Sequence, residues 1–367
     1  MRIAFDSQAF VLQPYGGISR YFSRLSKGLS DEDQDVCIFA KAHRNYYLNE
    51  LSEDLKDASF LNSYPRYSWR LFYFYSQMMS RYKIAKWKPD LVHETYYSRI
   101  RSSPKNCPTV LTIYDMIHEI FNKDLSIFDG TIKAKKISID RADKIICISE
   151  STRHDLLRIY EVNPAKVSVV HLGFELFRMS PNPSAALAEL YKPFLLFVGI
   201  RSGYKNFLGL LRAVSSSTHL LQDFEIVAFG GGKFSAQELQ SIHSLGFRTD
   251  QVKHIEGGDD KLACLYQAAT AFIYPSLYEG FGLPPLEAMS MGCPVVASQT
   301  SSMPEVLGDA AYFFDPNSSD DIRRSIEQVV YSDKKSAELQ ELGKHQASLY
   351  SWRRCANETL KIYRECL

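Results

Sequence analysis

The sequence has few of the features that mark several common classes of protein. Its seven cysteines are scattered along 367 residues and none forms a Cys-x-x-Cys pair, which argues against a structural zinc site or a disulfide framework. The formal net charge is only +1, whereas a bulk nucleic-acid binder would be far more basic. No apolar run approaches the roughly 18 residues of a spanning helix, and the start MRIAFDSQAF lacks the apolar stretch of a signal peptide. We therefore expect a reduced, cytoplasmic compartment.

The residues that are present have an ordinary globular composition, with 45% apolar and 23% charged residues. At this length, two domains of about 150–200 residues are expected. Short apolar strands alternate with helix-like stretches through residues 2–173, and the alternation restarts at 193. This pattern predicts two α/β domains, each with a parallel sheet covered on both faces. The predicted boundaries are 1–178 for the first domain, 179–192 for a proline-containing linker, 193–350 for the second domain and 351–367 for a final amphipathic helix.

The strongest functional signal is the segment YPSLYEGFGLPPLEAM, residues 274–289. Its two adjacent prolines are typical of the first turn of a helix, because their missing N–H groups are not needed there. Gly292 predicts the end of that helix. This spacing places Glu287 within the first helical turn and Glu279 in the glycine loop just before it.

Both acids of this segment are candidates for contact with a sugar nucleotide. Glu279 could hold sugar hydroxyls, and Glu287 could accept two ribose hydroxyls because a carboxylate offers paired acceptors. The alternative is that Glu287 is only a favourable partner of the helix dipole and Glu279 a solvated loop acid. The backbone amides that could join Glu279 are those of Phe281, Gly282 and Leu283.

Two cations follow the first strand of the predicted second domain. The strand PFLLFVGI leads into RSGYKN, which places Arg201 and Lys205 at the carboxyl end of a strand, where ligands bind in open α/β sheets. Two cations with helix-start amides suit a diphosphate, and charge-assisted hydrogen bonds contribute roughly 1.5–3 kcal/mol each. The alternative is an Arg and a Lys on an ordinary surface loop.

The first domain carries weaker signals. Gly16 and Gly17 are predicted at the turn after the first strand, where glycines let the backbone approach a ligand, although a plain turn explains them equally well. They do not form Gly-x-Gly-x-x-Gly, so a nicotinamide cofactor is poorly supported. Asp115 and His118 follow another strand and could touch substrate, but a loop histidine with satisfied hydrogen bonds is the alternative.

Two further segments have an unusual distribution of charged residues. In GGDDK (257–261), Asp259 or Asp260 is predicted as the N-cap of the next helix rather than as a metal ligand. Residues 64–88 hold six Lys/Arg, nine aromatic residues and no acid. This composition suits an interfacial segment on an anionic membrane or an anionic acceptor site; a partly buried helix pair with solvated basic side chains is the alternative.

Together these residues resemble the retaining glycosyltransferases of family four, over nearly the whole chain. The Glu-x7-Glu segment followed by AMSMGCPVVAS carries the resemblance, and SSMPEVLGDAAYFFDP (301–316) and ADKIICISESTRHDL (142–156) are similar to further family segments. The resemblance implies the GT-B fold: two Rossmann-like doubly wound domains facing across a cleft, with the last helix crossing back onto the first domain. One departure is that many members carry His-Asp where this chain has Tyr114-Asp115, with His118 three residues on.

The resemblance also implies the site and the reaction. Transfer of a hexose or deoxyhexose from a nucleotide diphosphate donor would retain the anomeric configuration, give an α-linkage and need neither a metal nor a resident cofactor. The implied catalytic residues are Glu279, Arg201, Lys205, Asp115 and His118. The implied donor contacts are Gly16, Gly17, Gly199, Arg201, Lys205, Glu279, Gly280, Phe281, Gly282, Leu283 and Glu287.

The expected substrates follow from the same resemblance. A GDP-mannose-like donor is favoured over a UDP-hexose by YGGISRYF, and the acceptor would be a glycan or lipid-linked glycan in O-antigen, lipopolysaccharide or capsule synthesis. The expected location is cytoplasmic, peripheral on the inner face of the plasma membrane, with no nucleic-acid partner. The alternatives are a catalytically weak GT-B-like protein that binds sugar nucleotides, and a sugar-nucleotide epimerase.

Overall fold

The computed structural model describes residues 1–121, 130–175, 190 and 192–367, and the chain divides into two compact units. Unit 1 comprises Met1–Gly173 together with Ser351–Leu367, and unit 2 comprises Phe174–Tyr350. The predicted linker at 179–192 lies outside the described residues, apart from 190 and 192.

Unit 1 is built on a seven-stranded parallel sheet. Its strands are β1 (Arg2–Phe5), β2 (Asp35–His43), β3 (Lys56–Phe60), β4 (Leu91–Glu94), β5 (Thr109–Ile113), β6 (Lys144–Cys147) and β7 (Val167–Val169). Their order is β3-β2-β1-β4-β5-β6-β7, which reverses direction between β1 and β4 as in a doubly wound fold. The central strands β4 and β5 are buried along their whole length, as a sheet covered on both faces requires.

Helices connect these strands. The α-helices of unit 1 are α1 (Gln8–Leu12), α2 (Gly17–Asp31), α3 (Tyr46–Asn49), α4 (Trp69–Trp87), α5 (Ile117–Ile120), α6 (Thr131–Arg141) and α7 (Glu150–Ile159), and 3-10 turns span Glu53–Leu55 and Pro164–Lys166. Helix α2 lays its apolar face on the sheet through Phe22, Leu25 and Leu29, all fully buried.

The last helix of the chain belongs to unit 1. This C-terminal helix, Trp352–Arg364, packs on α2, and Gly28 of α2 permits the close approach because an added Cβ would lie 2.8 Å from the Cβ of Ala356. Its Tyr363 hydroxyl lies 2.5 Å from Nδ1 of the buried His93 on β4. The chain end is therefore part of the core of unit 1.

Unit 2 repeats the architecture with a six-stranded parallel sheet. Its strands are β8 (Phe194–Val198), β9 (Glu225–Phe229), β10 (Val252–Ile255), β11 (Ala271–Tyr274), β12 (Val295–Ser298) and β13 (Ala311–Phe314). The order is β10-β9-β8-β11-β12-β13, so the reversal lies between β8 and β11. Two parallel doubly wound sheets confirm the predicted α/β fold class.

The helices of unit 2 follow its strands in turn. They are α8 (Phe207–Ser215), α9 (Thr218–Asp223), α10 (Ala236–Ser244), α11 (Asp259–Ala268), α12 (Leu283–Ser290), α13 (Met303–Leu307), α14 (Ser319–Val330) and α15 (Asp333–Ser348), with 3-10 turns at Gly203–Lys205 and Gly308–Ala310. The C-terminal helix of unit 1 is therefore α16.

Several local predictions need correction. A short helix, α1, separates β1 from the Gly16-Gly17 pair, which begins α2 instead of turning directly out of the strand. The N-cap of α11 is Gly258, so that Asp259 and Asp260 lie in the first turn and favour the positive end of the helix dipole instead of capping it.

Candidate active site

The candidate site lies at the carboxyl edge of the unit 2 sheet, where β8 and β11 are neighbours. The turn Gly203–Lys205 follows β8, and the loop that leads into α12 follows β11. These segments are distant in sequence, but adjacent strands bring their loops together at the switch point of the sheet. The N–H of Leu277 donates to the carbonyl of Tyr204 at 2.7 Å, which joins the two loops directly.

At this junction Lys205 and Glu279 form an ion pair. The Lys205 Nζ donates to Glu279 Oε1 at 2.6 Å and to the hydroxyl oxygen of Tyr274 at 3.1 Å. Their side chains are only 13% and 10% exposed, so water screens the pair weakly. Burial, and then the Glu279 carboxylate, raise the pKa of Tyr274 well above its ordinary value, so the phenol keeps its proton.

The backbone of Glu279 is fixed by the loop after β12. Its N–H donates to Ser301 Oγ and its carbonyl accepts from Ser302 Oγ, both at 2.9 Å. Because β12 is the next strand of the sheet beyond β11, a third loop at this edge holds the acid in position. The serines belong to the segment 301–316 that carried part of the family resemblance.

The start of α12 depends on glycine. Gly282 is its N-cap with φ +93, a conformation that side-chain-bearing residues rarely adopt, and an added Cβ would lie 2.4 Å from Cε of Met303. Phe281 is 3% exposed and packs edge-on against the ring of Tyr350, at a centroid distance of 5.5 Å. Its side chain is therefore structural, and any ligand contact would come from its backbone.

Glu287 lies just beyond the first turn of α12, whereas the sequence placed it within that turn. The helix begins at Leu283, before the two prolines, which places Glu287 beyond the first turn. The residue is 8% exposed, and the hydroxyl of Tyr266 on α11 donates to its Oε2 at 3.3 Å. Burial, and then the Glu287 carboxylate, raise the pKa of Tyr266 well above its ordinary value, so this hydroxyl remains a donor.

Arg201 is held by protein groups. Its Nε donates to Glu238 Oε1 at 2.6 Å, and its terminal nitrogens donate to the carbonyls of Gly230 at 2.8 Å and Lys233 at 3.1 Å. The guanidinium also lies 4.6 Å from the centroid of the Phe234 ring, and the side chain is 3% exposed. The structure thus places Arg201 behind the loop at 230–233.

Glu238 accepts these bonds while it caps α10. The N–H of Ser235 donates to its Oε2 at 2.7 Å, and the Glu238 N–H donates back to Ser235 Oγ at 3.2 Å. Burial works to raise the pKa of Glu238, but hydrogen bonds from Arg201 and Ser235 outweigh it and lower the pKa to about 2. The group is therefore an anion at any working pH.

The loop held by Arg201 is made of three successive glycines. Gly230, Gly231 and Gly232 all have φ between +72 and +83, which favours glycine at each position. A Cβ on Gly231 would lie 2.9 Å from the carbonyl oxygen of Gly199, itself at φ +127. The loops after β8 and β9 therefore touch through their backbones.

The unit 1 candidates occupy a second strand edge. Asp115 follows β5, where its Oδ1 accepts from the Ile117 N–H at 3.0 Å and burial raises its pKa. His118 lies in α5. The fully buried Lys135 of α6 donates to the carbonyl of Asp115 at 3.0 Å and to Glu119 Oε2 at 2.8 Å, which fixes the segment that carries both candidates.

The glycine pair of unit 1 lies where the second helix begins. Gly16 is the N-cap of α2 in an extended conformation, and an added Cβ would lie 1.8 Å from Nε2 of Gln13. Around Gly17 an added Cβ would meet no atom within 4 Å. The atoms near Gly16 belong to the flexible Gln13 side chain, so packing does not require glycine there, and Gly17 leaves space beside the helix start.

Sequence reasoning missed several residues that hold these groups. Tyr274 and Glu238 are paired with the two predicted cations, and Lys135 supports the Asp115 segment. The signal for Glu238 was present, since SAQE (235–238) is a capping box, but nothing in the spacing links it to Arg201. Among the described residues, no group of three or more His, Cys, Asp or Glu side chains could hold a metal ion.

Two family models match the chain, one in each half. The model described as Glycosyltransferase Family 4 matches residues 15–178, and that described as Glycosyl transferases group 1 matches residues 183–346. The chain is similar in fold to sucrose-phosphate synthase from Thermosynechococcus elongatus, with a TM-score of 0.76 over 99% of this chain and 98% of that one, at 18% identity.

Named relatives include mannosyltransferases of Escherichia coli. The O-antigen chain mannosyltransferase B is 32% identical over 62% of this chain and 62% of its own length. The serotype-specific mannosyltransferase WbdA is 28% identical over 77% of this chain, but the match spans only 38% of WbdA. Because the two family models together span most of residues 15–346, this chain belongs to the glycosyltransferases of family four.

Proposed function

We propose that this protein transfers a hexose or deoxyhexose from a nucleotide diphosphate sugar to a glycan or lipid-linked glycan. The observation that carries the proposal is the Lys205–Glu279 pair, which lies at the carboxyl edge between β8 and β11, the position where open α/β sheets bind ligands. The pair offers a cation for phosphate beside an acid for sugar hydroxyls. Membership of the family supports the reaction type.

In this reaction the bond between the anomeric carbon and the β-phosphate oxygen breaks. The acceptor hydroxyl forms the new bond on the same face, and its proton passes to the leaving diphosphate. Lys205 would stabilise the negative charge that grows on the diphosphate, together with amides at the start of α12. Glu279 would orient the donor sugar through its hydroxyls, and Glu287 would bind the ribose.

Arg201 has a different place in the proposal. The sequence suggests that Arg201 contacts the donor phosphates together with Lys205, and this contact stays a prediction. Its bonds to Glu238, Gly230 and Lys233 support a positioning role, in which it fixes the glycine loop beside Lys205. Asp115, His118 and the Gly16-Gly17 pair are proposed to contact the acceptor or the donor sugar.

The substrate class is proposed from the relatives. Two of them are named as mannosyltransferases, one of O-antigen chains, which supports a GDP-mannose-like donor and an acceptor in polysaccharide synthesis. Retention, an α-linkage and independence of metal ions follow from the family resemblance. An acceptor carried on a lipid would place the enzyme at the inner face of the membrane.

The experiment has a binding arm and a turnover arm. Purified protein is screened by thermal shift against GDP-, UDP- and dTDP-sugars; a donor at 100 times its Kd should add about 2.7 kcal/mol to the free energy of unfolding. Transfer to lipid-linked acceptors is then followed by NMR, with and without EDTA, to assign the anomeric configuration. Binding without transfer to any acceptor would favour a binding protein, and an epimerised donor would favour an epimerase.

A further inference from the structure

Helix α4 turns its large apolar side chains to solvent. Five of them are between 41% and 72% exposed and recur at positions i, i+3, i+4, i+7 and i+11, so they form one stripe along a helix of 3.6 residues per turn. We call this stripe the α4 crest. Its members are Leu71, Phe74, Tyr75, Met78 and Tyr82.

The most buried positions of the same helix carry small or polar side chains, with one exception. Ser76, Gln77 and Ser80 are at most 4% exposed, and only Ile84 adds a fully buried aliphatic side chain. Gln77 donates to Ser98 Oγ at 2.6 Å. A surface helix of a globular protein normally buries its apolar stripe and exposes its polar one. Helix α4 packs through its buried polar positions and through half-buried residues such as Phe72 and Tyr73, and it leaves the crest exposed to solvent.

The helix is nevertheless firmly attached. Its last turn packs into the core beside β2, where the Trp87 ring lies 5.6 Å from that of Phe39 and Ile84 is fully buried. The guanidinium of Arg2 lies over the Trp87 ring, 4.3 Å from its centroid. Because α4 is held in place, its exposed apolar stripe is suited to bind another surface.

The charged residues within the segment that carries the crest are all of one sign, and one of them, Lys83, pairs with Asp57 of β3 at 3.1 Å. Residues 64–88 contain six Lys/Arg and no Asp/Glu. Arg70 lies one turn before Phe74, Arg81 one turn after Met78, and Lys86 one turn after Tyr82, and all three are exposed. Cations therefore border the crest along its length, a pattern typical of helices that lie in the interface of an anionic bilayer.

We infer that the α4 crest docks on the surface of an anionic lipid bilayer, with the crest among the acyl chains and the bordering cations at the lipid phosphates. A second copy of this chain is a poor occupant, since a two-fold contact would place the same cations against one another. Within the described part of the chain, no helix has both the length and the hydropathy of a membrane span.

The inference rests on the proposed function, because a membrane-bound position would bring the enzyme to a lipid-linked acceptor. Its test is separable, because vesicle binding is measured without donor or acceptor. The full chain is floated with vesicles of phosphatidylcholine alone or with 30% phosphatidylglycerol. We expect partition to the anionic vesicles only, falling at higher ionic strength because the lipid and protein charges are screened.

Two variants test the two components separately. R70Q/R81Q/K86Q should lower the partition coefficient on the order of 100-fold, since each cation near an anionic surface contributes about 1 kcal/mol. L71S/F74S/M78S should abolish flotation while the melting temperature stays unchanged, because these side chains are exposed. The matched controls, K334Q/K344Q/R353Q and L239S/L342S/L349S, alter exposed residues elsewhere and should float like the wild type.

Three results would overturn the inference. The first is equal flotation on neutral and anionic vesicles. The second is flotation of the crest variant at the wild-type level. The third is sedimentation of the wild type as a dimer that the crest variant converts to a monomer, with no flotation of either, since the crest would then be an interface between copies.

Discussion

The Nζ of Lys205 lies 2.6 Å from Oε1 of Glu279, and both side chains are nearly buried. If Lys205 binds the phosphates and Glu279 binds the sugar, replacing each residue should have a different effect on GDP binding and on kcat. Lys205→Met should weaken GDP binding and reduce kcat, since one stabiliser of developing charge is worth roughly 100-fold or more. Glu279→Gln should reduce kcat while changing the Kd for GDP by no more than about threefold, because GDP carries no sugar to orient.

Calorimetry and steady-state kinetics measure both quantities. Because each change leaves a partly buried partner without its counter-charge, the double variant and thermal unfolding separate a loss of fold from a loss of function. K334M, on a solvent-exposed lysine of α15, is the control. Full turnover by Glu279→Gln would remove this residue from the mechanism.

Variants of the Arg201–Glu238 pair can distinguish a positioning role of Arg201 from direct phosphate binding, because the two roles predict different effects of Glu238→Gln on the affinity for GDP. If Arg201 positions the glycine loop, it needs Glu238, so Glu238→Gln and Arg201→Gln should each weaken GDP binding. We expect a loss of roughly tenfold or more, since a hydrogen bond to a charged group contributes about 1.5 kcal/mol or more. As a direct phosphate ligand, Arg201 would be released by Glu238→Gln, and GDP would bind as tightly as before or tighter. Calorimetry of both variants decides between the two roles.

The buried Lys135–Glu119 pair should stabilise the folded protein and hold the segment that carries Asp115 in place. Lys135→Met would leave Glu119 buried without its cation, at 5% side-chain exposure, and should cost about 3–5 kcal/mol of unfolding free energy. K135M/E119Q should recover part of that loss, because no uncompensated charge remains. Urea unfolding measures both, and a double variant no more stable than K135M would show that Lys135 acts through its bond to the Asp115 carbonyl.

Most strands could be predicted because a strand that is buried on both faces of a sheet has a nearly continuous run of apolar residues. FLLFV of β8 is a clear example. Strand β3 does not stand out in the sequence, because KDASF lies at the sheet edge, half-buried, with charged residues where an apolar run would be. That the loops after β8 and β11 lie side by side could be expected only from the general rule that ligands bind at the carboxyl ends of parallel strands, at the switch point of the sheet.

Side-chain partners were harder to predict. The sequence placed Arg201 and Lys205 on one short turn as equivalent cations, yet one turns to Glu238 and the other to Glu279. Which carboxylate each meets depends on strand order, since β9 lies on one side of β8 and β11 on the other. The register of Glu287 was misjudged for a local reason: α12 starts at Leu283, one residue before the prolines.

His93 should make stability fall in mild acid. It is fully buried between the Tyr363 hydroxyl at 2.5 Å and Thr112 Oγ1 at 2.9 Å, and burial lowers its pKa to about 3. Between that value and the ordinary 6.5 the unfolded chain binds a proton that the folded chain refuses, so the free energy of unfolding rises with pH there. Acidification from pH 7 to pH 5 should therefore cost about 2 kcal/mol at this site.

Histidine 93 can be separated from other acid-sensitive groups by a neutral replacement. His93→Gln keeps a donor and an acceptor but cannot titrate, so its unfolding free energy should be lower at pH 7 and fall less between pH 7 and pH 5. His43, whose pKa burial lowers to about 4, supplies a remaining slope in both proteins. Urea unfolding at the two pH values gives the comparison; an equal acid-induced loss in His93→Gln and the wild type would assign the effect to other groups.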